Sequence, residues 1–172
     1  MKVLVCHEVE PDVLDSVLRE GIKQDTHGEK SDSLVERVDS YLDSRRPDDV
    51  VANGLSRAHV IYGYLCDGDK LFDIRDGATV DVEKFAALRQ LVLLQLAVDA
   101  KHCFVSDLAI YDAMTDAMER GEADTVLREL ADRYWRRLTS IEHFEREQFC
   151  RPEAMITSDI APSEITVVSV DQ

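Results

Sequence analysis

Apolar positions near the start of the chain first follow the pattern of a strand and then that of helices. The apolar run at residues 2–6 predicts a short strand that ends beside His7. From Pro11 to Gly21, apolar residues recur at helical spacing, with proline suited to the first turn and glycine to the end. Residues 34–42 repeat this amphipathic pattern and predict a second helix.

The middle of the chain is rich in β-branched and aromatic residues. Strands are predicted over residues 59–65, 71–74, 91–98 and 102–106. The turn-forming sequence at residues 66–70 predicts a hairpin between the first two of these strands. Residues 81–98 fit either one buried helix or a helix to about Arg89 followed by a strand, and the unbroken apolar run at the end favours the strand.

The C-terminal third predicts two helices and two closing strands. Helices are expected over residues 109–120 and 123–137, separated by Gly121, and strands over 153–157 and 164–170. Polar segments at 24–32 and 48–58 are expected to be loops. Strands at both ends with helices between them predict one α+β domain over residues 1–172.

Charge changes the expected environment of the protein. The formal net charge is −15, with Asp and Glu far outnumbering Lys and Arg. An Asp-rich, Lys-poor surface favours a salt-adapted, archaeal, cytoplasmic protein, with an acidic mesophilic protein as the alternative. Such a surface repels nucleic acid in dilute salt, but at molar salt the Debye length falls to about 3 Å and the repulsion is screened.

Several function classes are disfavoured by missing patterns. The sequence has no uncharged apolar stretch of membrane-spanning length and no N-terminal pattern of a signal peptide. The cysteines are scattered singly, so a structural zinc site is not expected, and in a cytoplasmic protein they are expected to be reduced. A metal site formed by His7, His102 and His143 is likewise not expected, because no ligand-spaced motif links these residues. A catalytic Cys–His pair is not expected either, because Cys6 and Cys103 lie in apolar runs and not in a polar cleft.

Five residues are candidates for chemistry. They are His7, Arg57, Tyr62, Tyr64 and Glu153, each at or near a predicted strand. Tyr62 and Tyr64 alternate along their strand and therefore point to one face. Each residue alone also fits an ordinary structural role, such as a core histidine, a surface charge or a half-buried aromatic pair.

The order of short motifs resembles the ADP-ribosyltransferase superfamily. These motifs are Cys6-His7, Leu18-Arg19-Glu20-Gly21-Ile22, Gly54-Leu55-Ser56-Arg57, Glu153-Ala154-Met155-Ile156 and Ile160-Ala161-Pro162-Ser163-Glu164-Ile165. They are most similar to the branch that contains DNA-targeting ADP-ribosyltransferase toxins and RNA 2′-phosphotransferases. The motifs cover well under half of the chain, and each is short.

This resemblance implies a fold, a cofactor and residue roles. It implies an ADP-ribosyltransferase-like α+β domain with small split antiparallel or mixed sheets and inserted helices. NAD would bind as the substrate in a cleft between the two small sheets. Glu153 would stabilise the oxocarbenium-like transition state as nicotinamide leaves. His7 would hold the adenine-ribose or nicotinamide side, Tyr62 or Tyr64 would stack on nicotinamide, and Arg57 would pair with the pyrophosphate. No metal is required.

The acceptor and the activity itself stay open at this stage. Position 151 is Arg, so the paired acidic motif of arginine-specific transferases is absent. Arg45, Arg46, Arg57 and Arg75 are candidates to bind a 2′-phosphate, but none lies in a motif recognisable as the family's 2′-phosphate site. A nucleic acid or a protein is therefore an equally open acceptor. The alternative is a non-catalytic nucleotide- or protein-binding module whose partner surface is the helical pair at 109–138, marked by an exposed apolar patch.

Overall fold

The described part of the protein is built on one antiparallel sheet. The computed structural model describes residues 1–24 and 33–169. Within these residues, nine strands join in the order β7-β6-β8-β2-β1-β5-β9, with β3 paired to β2 and β4 paired to β3. Most of the predicted loop at 24–32, and the last residue of the predicted strand 164–170, lie outside the described residues.

The strands and helices occupy the following positions. The strands are β1 (Lys2–Val9), β2 (Ile61–Asp67), β3 (Lys70–Phe72), β4 (Thr79–Asp81), β5 (Val92–Asp99), β6 (Cys103–Asp107), β7 (Thr139–Ser140), β8 (Pro152–Ile156) and β9 (Ile165–Val167). The α-helices are α1 (Leu14–Glu20), α2 (Ser33–Ser44), α3 (Asp48–Ala52), α4 (Val82–Ala87), α5 (Leu108–Glu119) and α6 (Asp124–Arg137).

Apolar side chains cover both faces of the sheet. We call the face that carries Val5, Leu94 and Ile156 the α1 face, because the partly buried Leu14 and Val17 of α1 pack against that cluster. The opposite face, called here the α5 face, carries a cluster around Met114, Tyr134 and Met155 and another around Leu71 and Phe85. Helices α2, α5 and α6 contribute to the first of these two clusters and α4 to the second.

Strands β1 and β2 meet in a short and tightly packed ladder. Only Val5 with Leu65 and Cys6 with Tyr64 are paired there in the described structure, whereas β1 and β5 pair along eight positions. A Cβ atom built on Gly63 would lie 2.4 Å from Val5 Cγ1 and 2.6 Å from the Cys6 carbonyl oxygen. We call this junction the β1–β2 seam, because it joins the β7-β6-β8-β2 half of the sheet to the β1-β5-β9 half.

Much of the predicted element order agrees with the structure, including the helix-then-strand interpretation of residues 81–98. Three expectations need correction. Residues 48–58 are not all loop, because Pro47 precedes a short helix, α3 (Asp48–Ala52), whose Val50 is buried. His7 does not end its strand, because β1 continues to Val9 and pairs with β5 over its whole length. The strands also do not form small split sheets, because β2 pairs with β1 on one side and β8 on the other, and every pairing is antiparallel.

The helices that the structure describes are amphipathic or short. In that part of the chain, none is both long enough and apolar enough to cross a membrane.

The close approach at the seam predicts a sharp response to one methyl group. Gly63→Ala should lower the free energy of unfolding by about 3 kcal/mol, because the added Cβ meets backbone and cannot be accommodated by a rotamer change. Gly68→Ala is the control: it adds a methyl group to open space and costs about 1–2 kcal/mol for its positive φ alone. Urea unfolding of both variants tests this, and an equal loss in the two would contradict it.

Candidate functional site

Strand β8 places Glu153 in the interior on the α5 face. Ala154 and Ile156 belong to the cluster on the α1 face, so the alternation of the strand turns Glu153 and Met155 to the other side. Glu153 pairs in register with Ser106 of β6, and its side chain is 8% exposed. A carboxyl group at this depth needs polar partners.

Arg57 is the cationic partner of Glu153. Its Nη1 atom lies 2.9 Å from Glu153 Oε1 and 3.0 Å from the Tyr134 hydroxyl oxygen, and its Nε atom lies 3.3 Å from Asp39 Oδ1. The side chains of Arg57 and Asp39 are 7% and 4% exposed. Arg57 and Glu153 are 96 positions apart in the sequence, so the fold creates this contact.

Three tyrosine rings enclose the Arg57 guanidinium. Its Cζ atom lies 4.4 Å from the centre of the Tyr62 ring, 4.3 Å from that of Tyr111 and 5.9 Å from that of Tyr134. The Tyr111 hydroxyl donates to Asp39, and the Tyr62 hydroxyl donates to the backbone carbonyl of Arg57. Ring faces attract a desolvated cation, so the rings stabilise the buried charge and hold its orientation.

Asp43 holds the loop that carries Arg57. Its carboxylate accepts hydrogen bonds from the backbone amides of Arg57 and Ala58 and from the Ser56 hydroxyl. Asp107 has the corresponding role next to β8: it caps helix α5 at Ala109 and accepts from the amides of Cys150 and Arg151. Carboxylates on helix α2 and strand β6 therefore fix the backbone on both sides of the Arg57–Glu153 contact.

Burial sets the proton affinities in this cluster. It raises the pKa of Glu153, and the Arg57 charge offsets only part of that effect. Burial alone would lower the pKa of Arg57, but Tyr134, Tyr62, Glu153 and Asp39 raise it well above its usual value. Arg57 is therefore a permanent cation, whereas Glu153 is a carboxyl group that takes up a proton more readily than a free glutamate.

The structure brings Arg57, Tyr62 and Glu153 together but places His7 elsewhere. His7 pairs in register with Leu94, so its side chain lies on the α1 face, opposite Glu153. There it lines a cavity of about 330 Å³ next to helix α1. Its Nδ1 atom donates to the Tyr62 carbonyl at 2.6 Å. The expectation of one cleft shared by His7 and Glu153 is thereby corrected, because alternation along the paired strands separates the two side chains.

Tyr64 belongs to a second polar group on the α5 face. Its ring packs edge-on against Phe85, with 5.0 Å between the ring centroids, and it lies near the Glu8 carboxylate. Glu8 is held by two hydrogen bonds from Arg89, of 2.6 and 2.8 Å. Burial and the Glu8 carboxylate raise the pKa of Tyr64 to about 12. Of the two candidates, Tyr62 and not Tyr64 therefore lies at the Arg57–Glu153 contact.

The sequence analysis did not identify the other polar members of the site, which are Asp39, Asp43, Ser106, Asp107, Tyr111 and Tyr134. Asp39 could have been identified from the sequence, because it lies on the same helical face as Val35, Val38 and Leu42. A charged residue inside an apolar stripe is expected to have a buried partner. Ser106 and Tyr111 gave no comparable signal.

His143 and His102 have local partners, and no metal-binding group is present among the residues that the structure describes. His143 is 2.9 Å from the Ser140 hydroxyl, and His102 is 3.4 Å from the Thr157 hydroxyl. Throughout residues 1–24 and 33–169, no three His, Cys, Asp or Glu side chains are grouped as metal ligands.

Comparisons of the chain with protein-family models, curated proteins and solved structures found no match. The resemblance to ADP-ribosyltransferases therefore rests on the motifs and their order. The geometry defines the site as a buried arginine–carboxylate centre enclosed by tyrosines.

This centre predicts a large stability loss when its cation is removed. Arg57→Met should lower the free energy of unfolding by about 3–5 kcal/mol, because two carboxylates lose their buried counter-charge. Arg128→Met, which removes an exposed pair with Asp124, should cost less than about 1 kcal/mol. Adding Glu153→Gln to Arg57→Met should restore part of the loss. Denaturant unfolding measures all three variants, and similar losses in both single variants would contradict the prediction.

The tyrosines predict a second, spectroscopic result. The protein has 5 tyrosines, and burial raises the pKa of each: Tyr41, Tyr62, Tyr64, Tyr111 and Tyr134. The buried, neutral tyrosines contribute to stability below a pH of about 10, which is the pKa of tyrosine in the unfolded chain. This contribution is lost as the pH rises through the higher pKa values of the folded protein. Native protein at pH of about 10.5 should therefore show little tyrosinate absorbance, while denatured protein shows much. Overlapping titration curves would contradict this.

Proposed function

We propose that the protein binds NAD and transfers ADP-ribose, with the Arg57–Glu153 contact at the reacting centre. The observation that supports this is the 2.9 Å hydrogen bond between these two side chains. Each was singled out by a different motif of the same family resemblance, and the motifs lie far apart in the chain. If these motifs form one site, the fold is expected to bring their residues together.

Glu153 would supply the charge that the transition state needs. Cleavage of the bond between ribose and nicotinamide develops positive charge on the sugar, and a carboxylate beside it stabilises that charge. The raised pKa of Glu153 opposes this role in the free protein. A bound nicotinamide cation would lower that pKa again and favour the ionised carboxylate. The proposed reaction is therefore expected to speed up as the pH rises through the Glu153 ionisation.

Arg57 would orient the substrate while it holds Glu153. Its Nε and Nη1 atoms are hydrogen-bonded to Asp39, Tyr134 and Glu153. We assign its guanidinium to contact with a pyrophosphate oxygen of the substrate. Arginine suits that contact, because its donors have a fixed planar arrangement.

Tyr62 and His7 would contribute in different ways. Tyr62 is half-buried and lies against the guanidinium, so we assign its ring, in preference to that of Tyr64, to contact with nicotinamide. His7 donates to the Tyr62 backbone carbonyl from across the seam. We therefore infer that His7 positions Tyr62, in place of the direct cofactor contact expected from the sequence. The acceptor of ADP-ribose, a nucleic acid or a protein, stays open.

A second candidate function is nucleotide binding without catalysis. The observation in its favour is the low exposure of Arg57 and Glu153, 7% and 8%, which is also typical of a purely structural ion network. If the protein instead binds a protein partner through the helical pair at residues 109–138, an exposed apolar patch is expected there. Within the described residues, Val126 is the exposed large hydrophobic side chain on that helical pair, so the surface does not favour it.

Nicotinamide release from NAD tests the proposal. The assay uses molar KCl, because the net charge of −15 suggests a salt-adapted protein. Glu153→Gln should slow release by about 100-fold or more while NAD affinity, measured by calorimetry, changes little. Glu164→Gln is the matched control, because it neutralises a glutamate that is ion-paired with Lys2 far from the centre. Circular dichroism confirms that both variants fold.

The outcomes separate the two candidate functions. NAD binding without nicotinamide release from the wild type would favour the non-catalytic module. The absence of both heat and nicotinamide would end the NAD proposal. His7→Ala should weaken NAD binding only a few-fold if His7 acts through Tyr62. Complete loss of binding with an intact fold would instead locate the nucleotide on the α1 face.

A further inference from the structure

Two cysteines face each other across the β1–β2 seam. Cys6 of β1 is fully buried, and Cys66 of β2 is partly exposed. Their Sγ atoms are 2.7 Å apart, although the residues are 60 positions apart in the sequence. Cys6 pairs with Tyr64, so Cys66 is its diagonal neighbour on the same face of the sheet. This distance is only slightly longer than a sulfur–sulfur bond of about 2.05 Å. The two sulfur atoms therefore need to move only a little to form a disulfide.

The position of the pair gives such a bond a structural effect. The seam has only two paired positions among the described residues, yet it joins the two halves of the sheet. A covalent link between Cys6 and Cys66 would span this short ladder. It would also close a chain segment of about 60 residues, which restricts the unfolded state.

We propose that Cys6 and Cys66 form a dithiol site that hydrogen peroxide, a two-electron oxidant, converts reversibly to a disulfide. This inference does not depend on the proposed NAD chemistry. The other cysteines differ in kind: Cys103 is buried in the core and Cys150 is exposed.

The reaction has two balanced steps. The sulfur of Cys66, the partly exposed member of the pair, attacks one peroxide oxygen, the O–O bond breaks, and Cys66 becomes a sulfenic acid while one water leaves. The sulfur of Cys6 then attacks the Cys66 sulfur, the S–O bond breaks, and the thiol proton leaves with the oxygen as a second water. Two thiols are oxidised by two electrons, and one peroxide is reduced to two waters.

The local environment fits this order of events. The hydrogen bond to Cys66 and burial both raise the pKa of Cys6, so Cys6 stays a neutral thiol protected from the oxidant. Cys66 is the member of the pair that solvent reaches. The enclosed Cys6 thiol lies against it, where it intercepts the sulfenic acid before further oxidation.

Peptide mapping of peroxide-treated full-length protein tests the site. After the remaining thiols are blocked, digestion without reductant should yield one linked peptide pair that contains Cys6 and Cys66, and dithiothreitol should separate the pair. The oxidised wild type should melt roughly 5–15 °C higher than the reduced wild type. Cys66→Ser should abolish both effects, whereas the control Cys150→Ser should retain them.

Wild-type mapping alone decides the outcome if Cys66→Ser fails to fold. Sulfinic or sulfonic acid at Cys66 without the linked peptide would overturn the proposal. A linkage that involves Cys103 or Cys150 in its place would do the same. A linked pair with an unchanged or lower melting temperature would overturn the structural part, namely that the bond reinforces the seam.

Discussion

The interior of the α5 face depends on the burial of one positive charge. Desolvation of a guanidinium is costly and is offset only if ionic and hydrogen-bonding partners surround it. Arg57 receives these partners from four parts of the chain: Asp39 on α2, Tyr111 on α5, Tyr134 on α6 and Glu153 on β8. Each of these elements must therefore be in place before the charge is compensated. The ion cluster links the packing of the helices to the register of the sheet.

The seam imposes a second constraint, of a steric kind. Gly63 lets the backbones of β1 and β2 approach so closely that no side chain fits between them. Tyr62 immediately precedes this glycine, and its carbonyl receives the His7 hydrogen bond on one side while its ring lies against Arg57 on the other. The seam and the ion cluster therefore share a residue. A displacement of β1 relative to β2 would move the ring that faces the guanidinium.

Much of the element order and part of the site could be predicted from the sequence. Apolar periodicity located β5 after α4 and the two helices on either side of Gly121, because it depends on local spacing alone. Separate motifs contain Arg57 and Glu153, which are hydrogen-bonded. Strand alternation pointed to both Tyr62 and Tyr64, and of these two it is Tyr62 that lies against Arg57. The error at His7 has a different origin. Alternation shows that His7 shares a face with Val5, but only the register across several strands shows that Glu153 lies on the opposite one. Asp39 interrupts the apolar stripe of its helix, and apolar periodicity alone does not show which partner a charged side chain on that stripe contacts.

The raised pKa of Glu153 connects stability to the proposed chemistry. A carboxyl group held in the core by one arginine is a poor choice for stability alone, since well-packed apolar residues often replace a buried ion pair without loss. Yet the chain supports this group on every side: Asp107 fixes the backbone before it, Ser106 faces it in the sheet, and tyrosines orient its cation. A carboxyl group with a fixed position and a perturbed proton affinity is typical of a functional site. A cation bound beside Glu153 would lower its pKa, and the proposed reaction would place such a charge there as nicotinamide leaves.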